Sequence, residues 1–294
     1  MKEDEALAGW FEAHRAHLRA VAYRMLGSLN EAEDAVQEVW IRFSGADTNG
    51  VSNLRGWLTT AVARVCLDML RSRRSRREEL VGVRLPEPIV SDAGGPDPET
   101  EALLAGSVGL ALLVVLDSLA PAERLAFVLH DMFGVPFQEI ARVVGRSPEA
   151  ARQLASRARR RVRGAAPSPD PDLSRQREIV DAFLAAARGG DFDALLRILD
   201  PDVVLRADRG PAAPGGTIVI RGARAAAHQS IHAARAASET RAALVNGAAG
   251  LVSFDEEGQP FSVLGFTVAH GKIVEIDVLA DPERLRALDL KIPE

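Results

Sequence analysis

Two runs of turn-forming residues decide what this chain can fold into. Between Glu78 and Thr100 the apolar periodicity fails, and Leu85-Pro-Glu-Pro88 is followed by Ser91-Asp-Ala-Gly-Gly-Pro-Asp-Pro98. Neither a helix interior nor a central strand accommodates so many prolines and glycines. Gly164-Ala-Ala-Pro-Ser-Pro-Asp-Pro171 breaks the pattern a second time. A chain of 294 residues divided in this way reads most easily as several domains rather than one fold. The partition expected is a helical domain over 5–77, a linker over 78–100, a second helical domain over 101–164, a short linker over 165–173 and a third domain over 174–294.

In the first piece the period is helical, interrupted at Gly27-Ser28 and at 45–53. Its most ordered stretch is Glu31-Ala-Glu-Asp-Ala-Val-Gln-Glu-Val-Trp-Ile-Arg-Phe43. Glu31, Asp34, Glu38 and Arg42 fall three or four residues apart on one face, and Ala32, Ala35, Val36, Val39 and Phe43 on the other. Asn30 is the expected N-cap. Before it, Trp10 to Leu26 forms a helix; after it, Arg55 to Arg71 forms another and runs into Arg71-Ser-Arg-Arg-Ser-Arg-Arg77. That basic end is read either as favourable charge at a helix C-terminus or as a nucleic-acid contact.

The second piece has helix-turn-helix grammar. Val135 to Val144 reads as a short helix, Gly145-Arg146 as a turn, and Ser147-Pro148 as the N-cap and first residue of the next helix. That helix carries Arg152, Arg157, Arg159, Arg160, Arg161 and Arg163, with Glu149 as its one acid. A formal net charge of -5 excludes a uniformly basic coat, so DNA contact must come from such local clusters. Lysine occurs only at Lys2, Lys272 and Lys291, which leaves arginine as the basic side chain in use. The single cysteine, Cys66, excludes an intramolecular disulfide or a cysteine cluster and reads as core. The start has no signal-peptide layout and the longest apolar run, Val108 to Leu116, is too short to cross a bilayer, so the expected location is the cytoplasm, with no membrane contact.

The third piece changes grammar. Helices are expected at Gln176–Arg188, Asp191–Leu199 and Gly222–Ala237. Strands are expected at Val203–Ala207, Thr217–Arg221, Gly250–Phe254, Phe261–Ala269 and Lys272–Leu279, with a hairpin at His270-Gly271. This is an α+β unit with helices on one face of a sheet. Asp208, His228, His232 and Asp277 are its candidate acid or base groups if they point into the interior. His228 and His232, four apart on one helix, also fit half of a metal site, but no third ligand is evident, and no metal or cofactor is expected.

Glu-Ala-Glu-Asp-Ala-Val-Gln-Glu-Val-Trp-Ile-Arg resembles the core-polymerase-binding helix of the sigma-70 family of transcription initiation factors, in its extracytoplasmic-function group. The resemblance implies that this helix docks on the clamp helices of the RNA polymerase beta-prime subunit through Asp34, Gln37, Glu38 and Trp40. It implies minus 10 promoter contacts from Asn53, Trp57, Arg64, Asp68, Arg71 and Arg74, with the base-reading loop at Thr48 to Asn53. It implies minus 35 contacts from Ser147, Glu149, Ala150, Arg152, Gln153, Arg157, Arg160 and Arg161, and a beta-flap contact for the second domain. The third piece is similar to SnoaL-like domains of the cone-shaped NTF2-like fold. In the sigma subgroup that bears them, the linker motif corresponds here to Leu85, Pro86, Glu87 and Pro88, with Arg84 in place of a tryptophan. A motif after the last strand corresponds to Asp281, Pro282, Glu283, Arg284 and Leu285. The implied architecture is two all-α domains followed by an α+β cone. The implied function is promoter-specific initiation, non-enzymatic, modulated in cis by the cone, which is also the expected place for a small ligand. The alternative is a ligand-responsive helix-turn-helix regulator that does not join polymerase.

Overall fold

The computed structural model describes residues 2–44, 53–76, 85–94, 109–165, 169–213, 216–288 and 290, with the side chains of 2–7, 74 and 76 outside the description. Residues 48–52 of the expected base-reading loop and the side chain of Arg74 therefore lie outside the described residues. By contacts the chain forms two compact units, one of Met1–Val81, Glu101–Gly106 and Leu113–Ala165, the other of Gly82–Thr100, Ser107–Leu112 and Ala166–Glu294.

The first unit is all helical. Helix α1 (Lys2–Leu26), α2 (Leu29–Ser44) and α3 (Leu54–Arg76) precede α4 (Leu110–Asp117), which belongs to this unit from Leu113 on, then α5 (Pro121–Phe127), α6 (Phe137–Val144) and α7 (Pro148–Ala165), with a π-helical turn at Val128–Met132. Gly27, at φ 72, ends α1. The cap of α2 is Ser28, not the expected Asn30: the Glu31 amide donates to Ser28 Oγ at 3.4 Å, and Asn30 is already inside the helix. The predicted apolar side of α2 is buried as Ala32, Ala35, Val36, Val39 and Phe43. Cys66 is fully buried, and burial pushes its thiol far up. The two helical stretches expected as separate domains share this unit. Arg124 of α5, 1% exposed, donates through Nε to the Arg24 carbonyl at 3.2 Å and through Nη1 to Asp117 Oδ1 at 3.1 Å. A buried guanidinium is tolerated because partners compensate its lost hydration.

The second unit is a seven-stranded sheet with helices on one face. Helix α8 (Leu173–Gly189) and α9 (Phe192–Ile198) lead into β2 (Leu199–Asp208) and β3 (Thr217–Arg221). Helix α10 (Ala223–Ala236) follows, then β4 (Glu239–Val245), β5 (Ala248–Phe254), β6 (Pro260–Ala269), β7 (Lys272–Leu279) and α11 (Pro282–Ala287). The strand order is β1-β4-β5-β6-β7-β2-β3, where β1 is Val90–Asp92. All neighbours are antiparallel except β2 and β7. Val203, Leu205 and Ala207 of β2 join Phe183, Phe266 and Ile276 in the helix-facing core. Alternation sends Arg206 and Asp208 to the other face. The hairpin expected at His270-Gly271 is present with φ of 55 and 73, the left-handed pair that a two-residue turn of this hand requires. Both of its amides donate to the Asp170 carboxylate, at 3.0 and 2.9 Å. Those bonds hold the carboxyl below its usual range.

Two features of this unit depart from expectation. Strand β4, absent from the reading, pairs with β5 along its whole length across an Asn246-Gly247 turn. The linker motif is not a free spacer either. Residues 90–92 add an edge strand to β4 in register Val90 with Val245, because the three-residue run offers amides and carbonyls that β4 leaves open.

Candidate interfaces for polymerase, promoter DNA and linker

On α2, Asp34, Gln37 and Glu38 are exposed on the side opposite the buried stripe. Trp40 is half-buried, its ring 4.9 Å from Phe11 and 6.2 Å from Phe43, so it serves mainly to pack the helix. Glu31, read as part of the same charged face, is instead tied to α3 through Arg73, whose Nε donates to it at 3.1 Å and whose Nη1 donates to the Leu26 carbonyl. Ile41 was missed. It is 70% exposed, and its place seven residues after Asp34 and four after Gln37 could have put it on the outward stripe.

Of the minus 10 candidates, Arg64, Asp68 and Arg71 are exposed along α3. Trp57 is half-buried beside Phe43, ring to ring 5.9 Å. Asn53 has a local duty: its Oδ1 accepts the Gly56 amide at 2.9 Å and caps α3. The side chain of Asp68 also lines an open cleft of about 300 Å³ between α2 and α3, with Glu38 and Arg42 on the opposite wall.

The helix-turn-helix forms as expected. Gly145, at φ 68, closes α6 in the left-handed conformation, and Ser147 Oγ accepts the Ala150 amide at 3.2 Å to open α7. Buried Ala151, Leu154, Ala155 and Ala158 fix one side of α7. Ser147, Glu149, Arg152, Gln153, Arg157, Arg160 and Arg161 are exposed and Ala150 is half-buried. Glu149 is held below the usual carboxylate range, chiefly by its own backbone amide and then by the Ser147 hydroxyl. Arg152 lies 5.2 Å over the Phe137 ring, and Arg161 pairs with Glu123 at 3.0 Å. Arg157 and Arg160, one helical turn apart, give the outward face its positive charge.

The two linker-associated motifs meet in the second unit. The Leu85 amide donates to Asp208 Oδ2 at 3.0 Å, Arg284 donates to the same oxygen at 2.6 Å, and Arg284 also donates to the Leu85 carbonyl at 2.8 Å. One residue is thus gripped at both backbone groups, while its side chain is 2% exposed. Burying such a leucine contributes about 1.5–3 kcal/mol. Pro86 and Pro88 are buried and Glu87 is half-buried. Asp281 caps α11 through the Glu283 amide at 3.0 Å, Leu285 is buried, and Pro282 and Glu283 are exposed. Gly210, at φ 80, has no room for a side chain, since a Cβ would lie 2.7 Å from the Asp281 carboxyl carbon. Further along the linker the Ile89 amide donates to Asn246 Oδ1 at 3.2 Å, and Arg177 donates to the Ala93 carbonyl.

The candidate catalytic groups do not converge. Asp208 is committed to the linker grip. His228 and His232 are exposed on α10, with His228 4.6 Å from the Phe192 ring, so helix phase carries them to solvent and not into the cone. Asp277 is 1% exposed and pairs with Arg206 at 3.1 Å, beside Glu275, on the face away from the helices. Burial pushes its carboxyl up to about 6, against the pull of Arg206. Among the described residues no group of three or more His, Cys, Asp or Glu could hold a metal ion, and no helix is long and apolar enough to cross a membrane.

Both helical regions, and the chain as a whole, match known proteins. Residues 10–76 match the model for Sigma-70 region 2, and residues 109–162 that for Sigma-70, region 4. The chain is 40% identical over 294 residues to the ECF RNA polymerase sigma factor SigJ of Mycobacterium tuberculosis, covering 96% of this chain and 94% of that protein. It is 35% identical to the probable ECF RNA polymerase sigma factor SigI of the same species, covering 98% of this chain and 97% of that one. The crystal structure of M. tuberculosis SigJ superposes with a TM-score of 0.79 at 35% identity, covering 97% of this chain and all of that one.

Proposed function

Because this chain belongs to the extracytoplasmic-function sigma factors of the sigma-70 family, and so directs transcription initiation by RNA polymerase, we propose how its surfaces divide that work. Helix α2 docks on the beta-prime clamp helices through Asp34, Gln37 and Glu38, helix α3 opens and reads the minus 10 element, and α7 reads the minus 35 element while its domain meets the beta flap. The observation that carries this reading is the exposure of the three polar residues on a helix whose other side is fully buried. Ile41, 70% exposed on the same helix, adds the apolar residue that distinguishes a docking face from a merely solvated one. The site of action is the cytoplasm.

The second unit acts as a regulator without chemistry of its own. Support comes from its interior, where Phe183, Leu205, Phe266 and Ile276 fill the helix-facing side of the sheet, and from its grip on Leu85. A small ligand in the cone would have to displace that packing. Control through the linker requires only that the Asp208–Arg284 grip close or open, and tethering supplies a high effective concentration. The test is promoter-specific transcription with purified core polymerase, comparing the full chain with its Asp34→Ala/Glu38→Ala double variant. Loss of specific transcripts with retained binding of minus 35 duplex is the expected result. A double variant that transcribes normally removes Asp34 and Glu38 from docking, whereas a full chain that starts no transcript with core polymerase favours a regulator that does not join it.

A further inference from the structure

Asp34, Gln37 and Ile41 follow one another at intervals of three and four residues, so they share a single stripe along the exposed side of α2. Among the described residues Asp34 and Gln37 have no hydrogen-bond or ion-pair partner, whereas Glu38 beside them is paired with Arg42 of the same helix. Ile41 closes the stripe at 70% exposure, against 46% and 38% for Val219 and Phe261, the other exposed large hydrophobics among the described residues. The fold makes little use of this side chain, yet holds it firmly. Ser44 Oγ donates to the Ile41 carbonyl at 3.0 Å and completes the last turn of α2. Trp40, half-buried with its ring 4.9 Å from Phe11, is one turn from Gln37, as Ile41 is, and widens the apolar surface there. The stripe is thus polar at its N-terminal end and apolar at its C-terminal end. Intervals of three and four are those at which one helix lies along another, each outward side chain entering a hollow between side chains of the partner.

We infer that Ile41, flanked by Trp40, is the apolar anchor of the contact with core RNA polymerase and seats in an apolar hollow on a helix of that partner. The inference rests on the docking role proposed for α2 and divides the contact in two. Asp34 and Gln37 orient the partner through polar bonds, of which the charged ones weaken with salt. Ile41 supplies affinity through apolar area removed from water, which salt does not screen. A second copy of this chain is a poorer occupant. Laid antiparallel along the same stripe, it would set Asp34 of each copy against Ile41 of the other, and laid parallel it would set Asp34 against Asp34.

The experiment measures the affinity of the full chain for purified core polymerase at low and at high salt, with the melting temperature and minus 35 duplex binding of each variant alongside. Wild type, Ile41→Ala, Ile41→Val and Asp34→Ala are compared. The expected result is core affinity weakened about tenfold by Ile41→Ala, the scale of removing buried methylene groups, by the same factor at both salts, with a much smaller loss in Ile41→Val. Asp34→Ala weakens binding at low salt and less at high salt. Melting temperature and duplex binding stay at their wild-type values in Ile41→Ala, which a side chain acting through the fold would not allow. Core affinity unchanged in Ile41→Ala but reduced in Asp34→Ala overturns the anchor alone. So does a loss that comes with a lowered melting temperature, or an effect confined to self-association of the free chain. Core affinity unchanged in both overturns the docking role of α2 with it.

Discussion

Asp277 is a carboxylate whose surroundings favour its proton. It is 1% exposed, shares Arg206 with Glu275, and its carboxyl is pushed up to about 6 by burial first, with the neighbouring Glu275 charge adding to the effect against the attraction of Arg206. A carboxyl raised in the folded state binds its proton more tightly there than in the unfolded chain. It thus stabilises the fold fully below the ordinary aspartate value near 4, and the contribution is lost as pH rises through about 6. Asp277→Asn keeps an acceptor for Arg206 and removes the titration. The expected outcome is that the melting temperature of the second unit falls less between pH 4 and 7 in Asp277→Asn than in wild type, read by calorimetry; parallel pH profiles refute it. The sequence placed Asp277 on a strand but could not show which face it occupies, since a register shift between β6 and β7 lies beside it and such shifts invert the alternation.

At the scale of elements, the second unit takes its edge strand, residues 90–92, from a segment whose prolines and glycines predict a linker. The contacts span 123 residues for Leu85 with Asp208 and 199 for Arg284 with Leu85, beyond any local pattern. By contrast, β4 was legible and missed: Asn246-Gly247, with φ of 51 and 78, is a strong two-residue hairpin signal between two apolar runs. The faces of α2 and the turn and caps leading into α7 could be read directly, because a helical period of 3.6 and cap chemistry act within a few residues. Arg284→Ala should release the linker at one point. It removes a charge-assisted bond to Asp208 and the donor to Leu85, in a pair whose side chains are only 11% and 6% exposed. The expected cost is about 1.5–3 kcal/mol in denaturant unfolding of the second unit, with faster hydrogen exchange at the Leu85 amide. An unchanged exchange rate there would mean that the grip does not hold the linker.

For the whole molecule, a net charge of -5 sits beside an almost lysine-free arginine set. The chain as a whole repels nucleic acid, so DNA affinity depends on a few outward arginines and on ionic strength. Substituting Arg157 and Arg160 together by alanine should weaken minus 35 binding and lower the slope of log affinity against log salt by about 2. Filter binding over a salt series measures it, and an unaltered slope would remove these side chains from the phosphate contacts. The pairing of β1 with β4 has a different bearing, on how such genes can be assembled. Residues 90–92 and 243–245 are paired neighbours, yet the whole of the second helical region matched to Sigma-70, region 4, at 109–162 is encoded between them. A fragment cut at the second linker keeps every strand but its edge, and offers other copies the open row of amides that the linker covers. Recombination that moves the C-terminal fold intact must therefore carry a piece of coding sequence from the far side of a DNA-binding module, which couples the inheritance of the two.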